Sequence, residues 1–156
     1  MKTPPEKSTL GILAGIFFLA IPFLATLPDA QGQTGTNAER YYNQALKDYN
    51  AGNLEGALSA AKKALEQEPN SPKAFNYLGI IHKKMGNLED AATYFKKALK
   101  ADPKFAPAHS NLGMVYLDQG KIDKAIKEHE KAIAVSPRSA EYLNNLALAL
   151  EKKGMV

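Results

Sequence analysis

The sequence predicts an all-α fold in which pairs of antiparallel helices stack into a solenoid, and three observations support this prediction. Four glycines stand 34 residues apart along the chain: Gly52, Gly86, Gly120 and Gly154. Three prolines follow at the same interval: Pro69, Pro103 and Pro137. Between these positions, apolar residues recur at spacings of three, four and seven, which is the spacing of one helix face. A fixed period of this length is typical of a protein built from repeated helix pairs.

The repeat period divides the chain into segments, and the glycines set the boundaries of the units. We assign residues 1–32 to a signal peptide or N-terminal membrane anchor, 33–37 to a flexible linker, 38–71, 72–105 and 106–139 to three full units, and 140–156 to the first helix of a fourth unit or a capping helix. Each full unit is expected to contain a helix A, a short turn at the glycine and a helix B.

The second unit shows most clearly why these elements should form. Helix A is expected over about 72–85, because Pro72 suits a first helical turn and Gly86 can adopt the left-handed conformation that ends a helix. Helix B is expected over about 88–101, before Pro103 stops it. The two inner faces combine large and small residues: Phe75, Leu78, Gly79 and His82 on helix A, and Ala91, Phe95 and Ala98 on helix B. We expect the large side chains to fill the gaps beside the small ones.

The third unit repeats the pattern, whereas the first unit is more diverged. Equivalent positions of the third unit hold His109, Leu112, Gly113, Tyr116, Ala125, His129 and Ala132. In the first unit, Gln44 and Asp48 replace residues that are apolar or aromatic in the others. A first repeat has one unpacked side, so a polar edge is expected there.

The last segment resembles a helix A that no helix B follows within the sequence. Its residues are unusually apolar for an outer edge, and an exposed apolar patch often marks a partner site. We therefore expect an interaction edge at the C-terminal end, which joins a second copy into a homo-oligomer or docks on another protein. A truncated gene is the alternative interpretation. The predicted edge consists of Tyr142, Leu146, Ala149 and Leu150.

The small, large and proline positions of residues 38–156 closely resemble those of the tetratricopeptide repeat family. The resemblance implies a right-handed superhelix with a concave groove formed by the helices A, and it implies which positions of each unit line that groove. Mapped onto this chain, the groove positions hold Tyr42, Asn43, Leu46, Tyr49, Asn76, Tyr77, Ile80, Lys83, Lys84, Ser110, Asn111, Met114, Leu117, Asn144, Asn145 and Leu148.

Such a groove would suit an extended peptide. Asparagine amides donate to and accept from a peptide backbone of any sequence, and the apolar residues beside them can receive side chains. Lys83 and Lys84 could hold an acidic residue or a terminal carboxylate. Tyr77 interrupts the row of asparagines. The alternative is that these asparagines are common repeat residues without a ligand.

The N-terminal segment predicts export. Residues 10–27 form an uncharged apolar run, which Lys2 and Lys7 precede and Asp29 follows. A basic start and an apolar core are typical of a signal peptide, for which cleavage after Gly32 is plausible. The run is also long enough for an uncleaved transmembrane anchor. Both interpretations leave the N-terminus in the cytoplasm and place the repeats in the periplasm or another extracytoplasmic space. A cytosol-facing anchor and a buried helix of the solenoid are the disfavoured alternatives.

The composition and the motifs of the sequence argue against a catalytic or metal-binding site. The sequence contains no cysteine, which excludes disulfides, thiolate metal sites and a cysteine nucleophile. The net charge of +4 is spread along the helices without a basic block, so no nucleic-acid partner is expected. The three histidines fall at different repeat positions and are interpreted as packing residues: His82, His109 and His129. We expect no metal, no cofactor and no catalytic residue.

These observations predict a non-catalytic protein-interaction scaffold that binds a protein or peptide partner in the concave groove, in the assembly of an envelope complex. Membrane contact is expected through residues 10–27 alone. The alternative is an accessory subunit of an enzyme or a secretion machine, which docks through the C-terminal helix edge.

Overall fold

The computed structural model describes residues 36–154, and in this range the chain forms seven α-helices and no strand. The helices are α1 (Asn37–Asn50), α2 (Leu54–Gln67), α3 (Pro72–Lys84), α4 (Leu88–Ala101), α5 (Ala106–Asp118), α6 (Ile122–Val135) and α7 (Ala140–Lys152). The predicted all-α solenoid of helix pairs is confirmed. The predicted signal peptide or anchor lies outside the described residues, as do residues 33–35 of the predicted linker.

The helices are arranged in two layers, and the order of contacts shows which layer is concave. Helices α1, α3 and α5 each pack most extensively on the even-numbered helix that follows, and α7 packs on α6. The backbones of successive odd-numbered helices also approach each other closely, from α1 through α3 and α5 to α7, whereas those of α2, α4 and α6 do not. Helices that converge lie on the inside of a curve, so the odd-numbered helices form the concave layer.

The helices α1, α3 and α5 each end at one of the periodic glycines. Gly86 has a φ of +83°, and the next amide, of Asn87, donates to the carbonyl of His82 at 2.9 Å. This bond and the 3.0 Å bond from the Gly86 amide to the carbonyl of Lys83 form a Schellman motif, which requires a left-handed residue at the glycine position. The same pair of bonds recurs at Gly52 and Gly120, so the 34-residue glycine period is a period of helix ends.

Side-chain caps fix where three of the concave helices begin. Ser71 and Ser139 accept hydrogen bonds from the first-turn amides of α3 and α7, and Thr36 accepts one from the amide of Glu39 in α1. The Thr36 cap makes α1 begin at Asn37, which is one residue inside the predicted 33–37 linker.

Small residues allow the two helices of each pair to approach closely. A Cβ atom added to Gly79 would lie 2.5 Å from the ring of Phe95, and one added to Gly113 would lie 2.5 Å from the ring of His129. In the first unit, Ala45 and Ala61 take these two positions, and both are fully buried. Fully buried alanines recur along the helices B: Ala57, Ala61, Ala64, Ala91, Ala98, Ala125 and Ala132. The predicted packing of large residues against small ones is confirmed.

His129 occupies in α6 the place that Phe95 occupies in α4, although it is a titratable residue. Its side chain is fully buried, and neither ring nitrogen has a hydrogen-bond partner within the described residues. Burial lowers the pKa of His129 below its usual value near 6.5, and the nearby Glu128 carboxylate opposes this shift only in part. The neutral imidazole is therefore the form that the folded unit accommodates.

The burial of His129 predicts that the protein loses stability in acid. Well above pH 6.5 the ring is neutral in both states. Below it the unfolded chain binds a proton that the folded chain resists, so the free energy of unfolding falls until the pH is below the lowered pKa. We expect His129→Phe to flatten this part of the pH profile and to raise the free energy of unfolding by about 1 kcal/mol, since an unpaired buried polar group is removed. Denaturant unfolding of the full chain from pH 7.5 to pH 4.5 measures both effects.

His82→Phe serves as the control for this comparison, because His82 is only half-buried and lies 3.7 Å from Asp90. If the profiles of the wild type and His129→Phe run parallel over this range, His129 is not the residue that senses the pH.

Candidate functional site

The concave layer contains an apolar cavity of about 450 Å³ between α1, α3 and the beginning of α5. Two residues of α1 and five of α3 form most of its wall, and the start of α5 closes one end. The cavity is lined by Leu46, Tyr49, Lys73, Asn76, Tyr77, Ile80, Ile81, Phe105 and Pro107. Seven of these nine side chains are apolar or aromatic, so the space is suited to an apolar group.

Leu46 is the most accessible residue of this cavity wall. Its side chain is 44% exposed, although leucine is among the residues most often buried. Tyr49, Tyr77 and Ile80 are half-buried, whereas Ile81 is buried at the base. The cavity therefore has a packed floor and an accessible apolar rim.

Five of the predicted groove residues come together in this cavity, and four further residues were missed. Lys73 and Pro107 occupy the second position of their units, a position that family resemblance places in the groove but that the mapping passed over. Phe105 precedes α5 at the last position of its unit, and Ile81 belongs to the core face of α3. The 34-residue register would have found Lys73 and Pro107, but no signal in the sequence marks Phe105 or Ile81 as cavity residues.

A side-chain ladder with a spacing of 35 residues connects consecutive concave helices. The rings of Tyr42 and Tyr77 stack with centroids 5.6 Å apart. One step further, Asn111 Nδ2 donates to Asn76 Oδ1 at 3.0 Å. At the last step, Asn145 Nδ2 donates to Ser110 Oγ at 2.9 Å. The fifth position of each unit thus pairs with the sixth position of the next, through a stack, an amide pair and an amide–hydroxyl pair in turn.

The ladder changes the expected role of the asparagines. Asn111 and Asn145 each use one amide hydrogen to join neighbouring repeats, so this hydrogen is not available to a peptide. Their Oδ1 atoms accept no hydrogen bond within residues 36–154, and both side chains are half-buried. An extended ligand could therefore still donate hydrogen bonds to these oxygen atoms. The predicted role of the two asparagines in peptide binding is thus limited to accepting hydrogen bonds through Oδ1, and it remains a prediction.

Four predicted groove residues are buried. Asn76, which is 8% exposed, still lines the cavity, whereas the placement of the other three is corrected. Tyr42, Ser110 and Leu117 are 2%, 2% and 7% exposed. Tyr42 and Ser110 each face the next concave helix and not the solvent. Leu117 packs into a cluster with Ala125 of α6 and Ala149 of α7. None of the three is accessible to a ligand.

The phenol of Tyr42 is part of an internal hydrogen-bond group. Its hydroxyl lies 2.8 Å from Glu68 Oε2 and 2.7 Å from Ser71 Oγ. Burial raises the pKa of Tyr42 to about 12, and the Glu68 carboxylate adds to this increase, while the Ser71 hydroxyl opposes it. The hydroxyl therefore acts as a permanent donor that ties α1 to the turn between α2 and α3.

The lysines near the groove are largely neutralised by partners within the protein. Lys73 Nζ lies 2.8 Å from Glu39 Oε1 and 4.3 Å from the ring centroid of Tyr42. Lys83 Nζ lies 3.4 Å from Asp118 Oδ2. Of the two lysines predicted to hold an acidic residue, Lys83 is thus already paired, whereas Lys84 is exposed and has no ion pair within the described residues.

The remaining predicted groove residues lie on the concave layer outside the cavity. Asn43, Asn144 and Leu148 are exposed, and Met114 is half-buried against the cluster that joins α5, α6 and α7. They are available as an extension of the surface, but the structure does not bring them together with the cavity residues.

The residues of the predicted C-terminal edge pack against the solenoid and do not form an exposed patch, so this prediction is also corrected. Tyr142 is 9% exposed and packs with Ala106 and Ala132. Ala149 is fully buried, and Leu146 and Leu150 pack beside it against α5 and α6. These four residues hold α7 on the solenoid. The apolar residues of α7 that face solvent are Ala140, Leu143, Ala147 and Leu148.

Residues 36–154 contain no group of three or more carboxylate or histidine side chains that could hold a metal ion. In the same range no helix combines the length and the apolar character needed to cross a bilayer.

The seven helices and the cavity on their concave layer define this protein as a helical-repeat solenoid. Family models agree with this class. One described as "Tetratricopeptide repeat" matches residues 72–105, a second with the same description matches residues 94–127, and one described as "TPR repeat" matches residues 113–154. The chain belongs to the tetratricopeptide repeat family.

Solved structures share this fold. The first TPR of Spaghetti (RPAP3) bound to HSP90 peptide SRMEEVD is 17% identical, with a TM-score of 0.69, over 75% of this chain and 93% of that chain. The Sgt2 TPR domain from Aspergillus fumigatus is 20% identical, with a TM-score of 0.72, over 77% and 81%. MamA is 27% identical, with a TM-score of 0.67, over 76% and 70%. No curated protein matches the sequence.

The placement of Tyr42 predicts a purely structural phenotype. Tyr42→Phe removes the hydroxyl that bonds Glu68 and Ser71, and we expect the free energy of unfolding to fall by about 1–2 kcal/mol. Urea unfolding of the full chain measures this loss, and the m-value should not change. Tyr41→Phe is the matched control, since the Tyr41 hydroxyl makes no hydrogen bond within residues 36–154 and its removal should cost less than about 0.5 kcal/mol. Equal stabilities for the two variants would contradict the structural role of Tyr42.

Proposed function

We propose that this protein is a non-catalytic scaffold that binds an extended peptide segment of a partner and inserts one bulky apolar side chain of that segment into the cavity between α1, α3 and α5. The single observation that carries the proposal is an accessible, predominantly apolar cavity on the concave layer of a repeat solenoid. A leucine, methionine or aromatic side chain suits its volume and lining.

The polar groups around the cavity suit a peptide backbone. The Asn76 side chain lines the cavity, and the amide of the neighbouring Asn111 is fixed against it at 3.0 Å. An amide that is already oriented by one hydrogen bond loses little side-chain entropy when it forms a second one with a ligand. The Asn111 Oδ1 atom is the acceptor that a backbone N–H of the peptide would use.

The charges favour an apolar ligand over an acidic one at this position. The cation of the cavity wall is Lys73, and Glu39 neutralises it at 2.8 Å. An acidic side chain placed there would have to compete with Glu39 and to lose its hydration in an apolar wall. The first TPR of Spaghetti (RPAP3) was solved with an acidic peptide, SRMEEVD, which supports peptide binding by this fold. For this chain, we place any acidic residue of the peptide near Lys84, outside the cavity.

The process in which the scaffold acts is inferred from the N-terminal segment. Residues 10–27 are apolar, with Lys2 and Lys7 before them, and this arrangement supports export of the repeats as a cleaved protein or a membrane-anchored one. The partner would then be a component of an envelope complex, and the scaffold would hold one of its segments during assembly.

The alternative of an accessory subunit that docks through the C-terminal edge requires a different set of residues from the predicted one. Tyr142 and Ala149 are buried, so such docking would have to use the solvent-facing residues of α7, among which Leu143 is 46% exposed. This alternative predicts that substitutions in α7, and not substitutions in the cavity, abolish partner capture.

The cavity proposal predicts which substitution abolishes peptide binding. We expect peptides selected from a random phage-displayed library on the full chain to share a large apolar residue. Leu46→Asp should weaken their binding at least tenfold, because it places a charge on the apolar rim, and it should leave the unfolding curve nearly unchanged, because Leu46 is 44% exposed. Fluorescence anisotropy with the selected peptides measures the affinities.

Leu143→Asp is the matched control, since Leu143 is 46% exposed and lies on α7, away from the cavity lining. Selected peptides without an apolar residue in common, or peptides that bind Leu46→Asp as well as the wild type, would refute the cavity as the binding site.

Export makes a separate prediction. If the signal is cleaved, the mature protein begins at Gln33, and N-terminal sequencing of the native protein identifies this residue. If the segment is retained, the protein stays in the membrane fraction with its first residues intact. In both cases an alkaline phosphatase fused after Val156 should be active, because that enzyme folds only outside the cytoplasm. An inactive fusion would overturn export while leaving the peptide-binding proposal untouched.

A further inference from the structure

The ring of His109 joins the turn between α4 and α5 to helix α6. The residue is buried, with 7% of its surface exposed. Its Nδ1 atom lies 2.6 Å from Glu128 Oε2 in α6, and its Nε2 atom lies 3.0 Å from the carbonyl oxygen of Pro103 in the turn. The sequence predicts a packing residue at this position. The structure shows instead a ring that connects two elements through both of its nitrogens.

The two partners of the His109 ring can only accept hydrogen bonds. A backbone carbonyl has no proton to donate, and an ionised carboxylate has none either. Lys131 Nζ donates to the second oxygen of Glu128, Oε1, at 2.7 Å, which is the contact expected of an ionised carboxylate. Each ring nitrogen must then carry a hydrogen, so the geometry matches the imidazolium form of His109.

The titratable groups of the elements around this ring have other surroundings. In the turn, Asp102 Oδ1 accepts a hydrogen bond from the Lys104 amide at 2.9 Å. The side chains of Lys104 and of Lys100, near the end of α4, are exposed to solvent. Glu128 is therefore the carboxylate that pairs with the ring in the part of the chain that the structure describes.

The three other helices that pack on α5 contribute no competing switch. On α6, burial lowers the pKa of His129, which keeps this ring neutral in the folded chain. On α7, burial raises the pKa of Tyr142, which packs near the start of α5. On α3, the cation that reaches α5 is Lys83, and it pairs with Asp118 at the far end of the helix.

The start of α5 has no side-chain cap, unlike the starts of α3 and α7. Ser71 and Ser139 cap those two helices, and the 34-residue register places Phe105 at the same position of the third unit. Phe105 has no side-chain oxygen, so α5 begins without a side-chain cap hydrogen bond. The residue lines the cavity instead, together with Pro107. The third unit thus has a cavity wall where the others have a cap, and the bond from His109 helps to hold this wall.

We infer that the doubly protonated ring of His109 positions the closed end of the cavity, so that the protein binds its peptide more tightly when this ring carries both hydrogens. The inference rests on the proposed function, because it concerns the same cavity. When the ring loses one hydrogen, the bond from Nδ1 to the carboxylate is retained, since it is the shorter one and is charge-assisted. The Nε2 lone pair then faces the Pro103 carbonyl oxygen, and the turn before Phe105 is held by one bond fewer.

A less ordered turn weakens peptide binding, because Phe105 and Pro107 close one end of the cavity. A ligand that must first order this wall binds at a cost in conformational entropy. We expect the affinity of the selected peptides for the full chain to fall about fivefold between pH 6 and pH 9, which is the net effect of one hydrogen bond. Fluorescence anisotropy measures this profile, with peptides that have blocked termini and no titratable residue.

Two substitutions test whether His109 is the residue that senses the pH. His109→Phe should abolish the dependence, and it is compatible with the fold because Phe75 holds the equivalent position of the second unit. Glu128→Gln should move the midpoint of the profile to lower pH, because an amide favours the imidazolium less than a carboxylate does. His82→Phe is the matched control and should keep the wild-type profile, since His82 lies outside the cavity lining.

The state of the ring can also be measured without a ligand. Nitrogen-15 NMR of the full chain should show a hydrogen on both ring nitrogens of His109 at pH 6 and the loss of the one on Nε2 as the pH rises. The ring signals of Phe105 should shift with the same midpoint, because the turn before this residue loses its bond to Nε2.

These readouts separate the inference from the peptide-binding proposal. A common transition of His109 and Phe105 in a chain that binds no peptide would refute the proposed function alone. The inference alone is overturned if peptides bind equally well at pH 6 and pH 9, if the Phe105 signals stay in place while the ring of His109 titrates, or if His109→Phe keeps the pH dependence. A midpoint that Glu128→Gln leaves unchanged would also overturn it.

Discussion

The architecture depends on the close approach of two helices at a residue with little or no side chain. Gly79 receives the ring of Phe95, Gly113 receives that of His129, and Ala45 faces the equally small Ala61. A larger residue at the glycine positions would force the rings away and separate the helices of the pair. Helices α1, α3 and α5 are held at their mutual spacing because each is fixed to its own helix B. The cavity between α1, α3 and α5 exists at this spacing, so the binding surface is a consequence of contacts on the other side of the helices.

The helix boundaries could be predicted almost entirely from the sequence, because hydrogen bonds between neighbouring residues determine where each helix begins and ends. Gly86 and Ser71 determine a helix end and a helix start through bonds to their own neighbours, and the predicted spans of the second unit differ from the observed ones by one residue at most. Thr36 was overlooked as a helix cap. Its cap extends α1 into the predicted linker. The sequence contained a signal for this start, since Thr36 and Glu39 have the spacing of a capping box.

The site was less predictable, because it depends on contacts between units. A 34-residue register aligns equivalent positions, but the ladder through Tyr42, Asn76 and Ser110 joins residues 35 apart. Tyr42 and Ser110 therefore face the next helix, and Asn76 alone of the three also lines the cavity. In the last helix, Tyr142 and Ala149 stand seven residues apart on the side that packs inward, while Leu143 and Ala147 lie on the open side. Apolar character alone did not distinguish the two sides, since both are rich in leucine and alanine.

The central claim is that the cavity between the first three concave helices receives an apolar side chain of a peptide. The most direct measurement is methyl NMR of the full chain, with labelled leucine and isoleucine, titrated with a peptide selected on the wild type. The account predicts that the methyl signals of Leu46, Ile80 and Ile81 shift together and saturate at one affinity, while those of Leu143 and Leu148 stay in place. Shifts confined to Leu143 and Leu148, with the cavity signals unchanged, would contradict it.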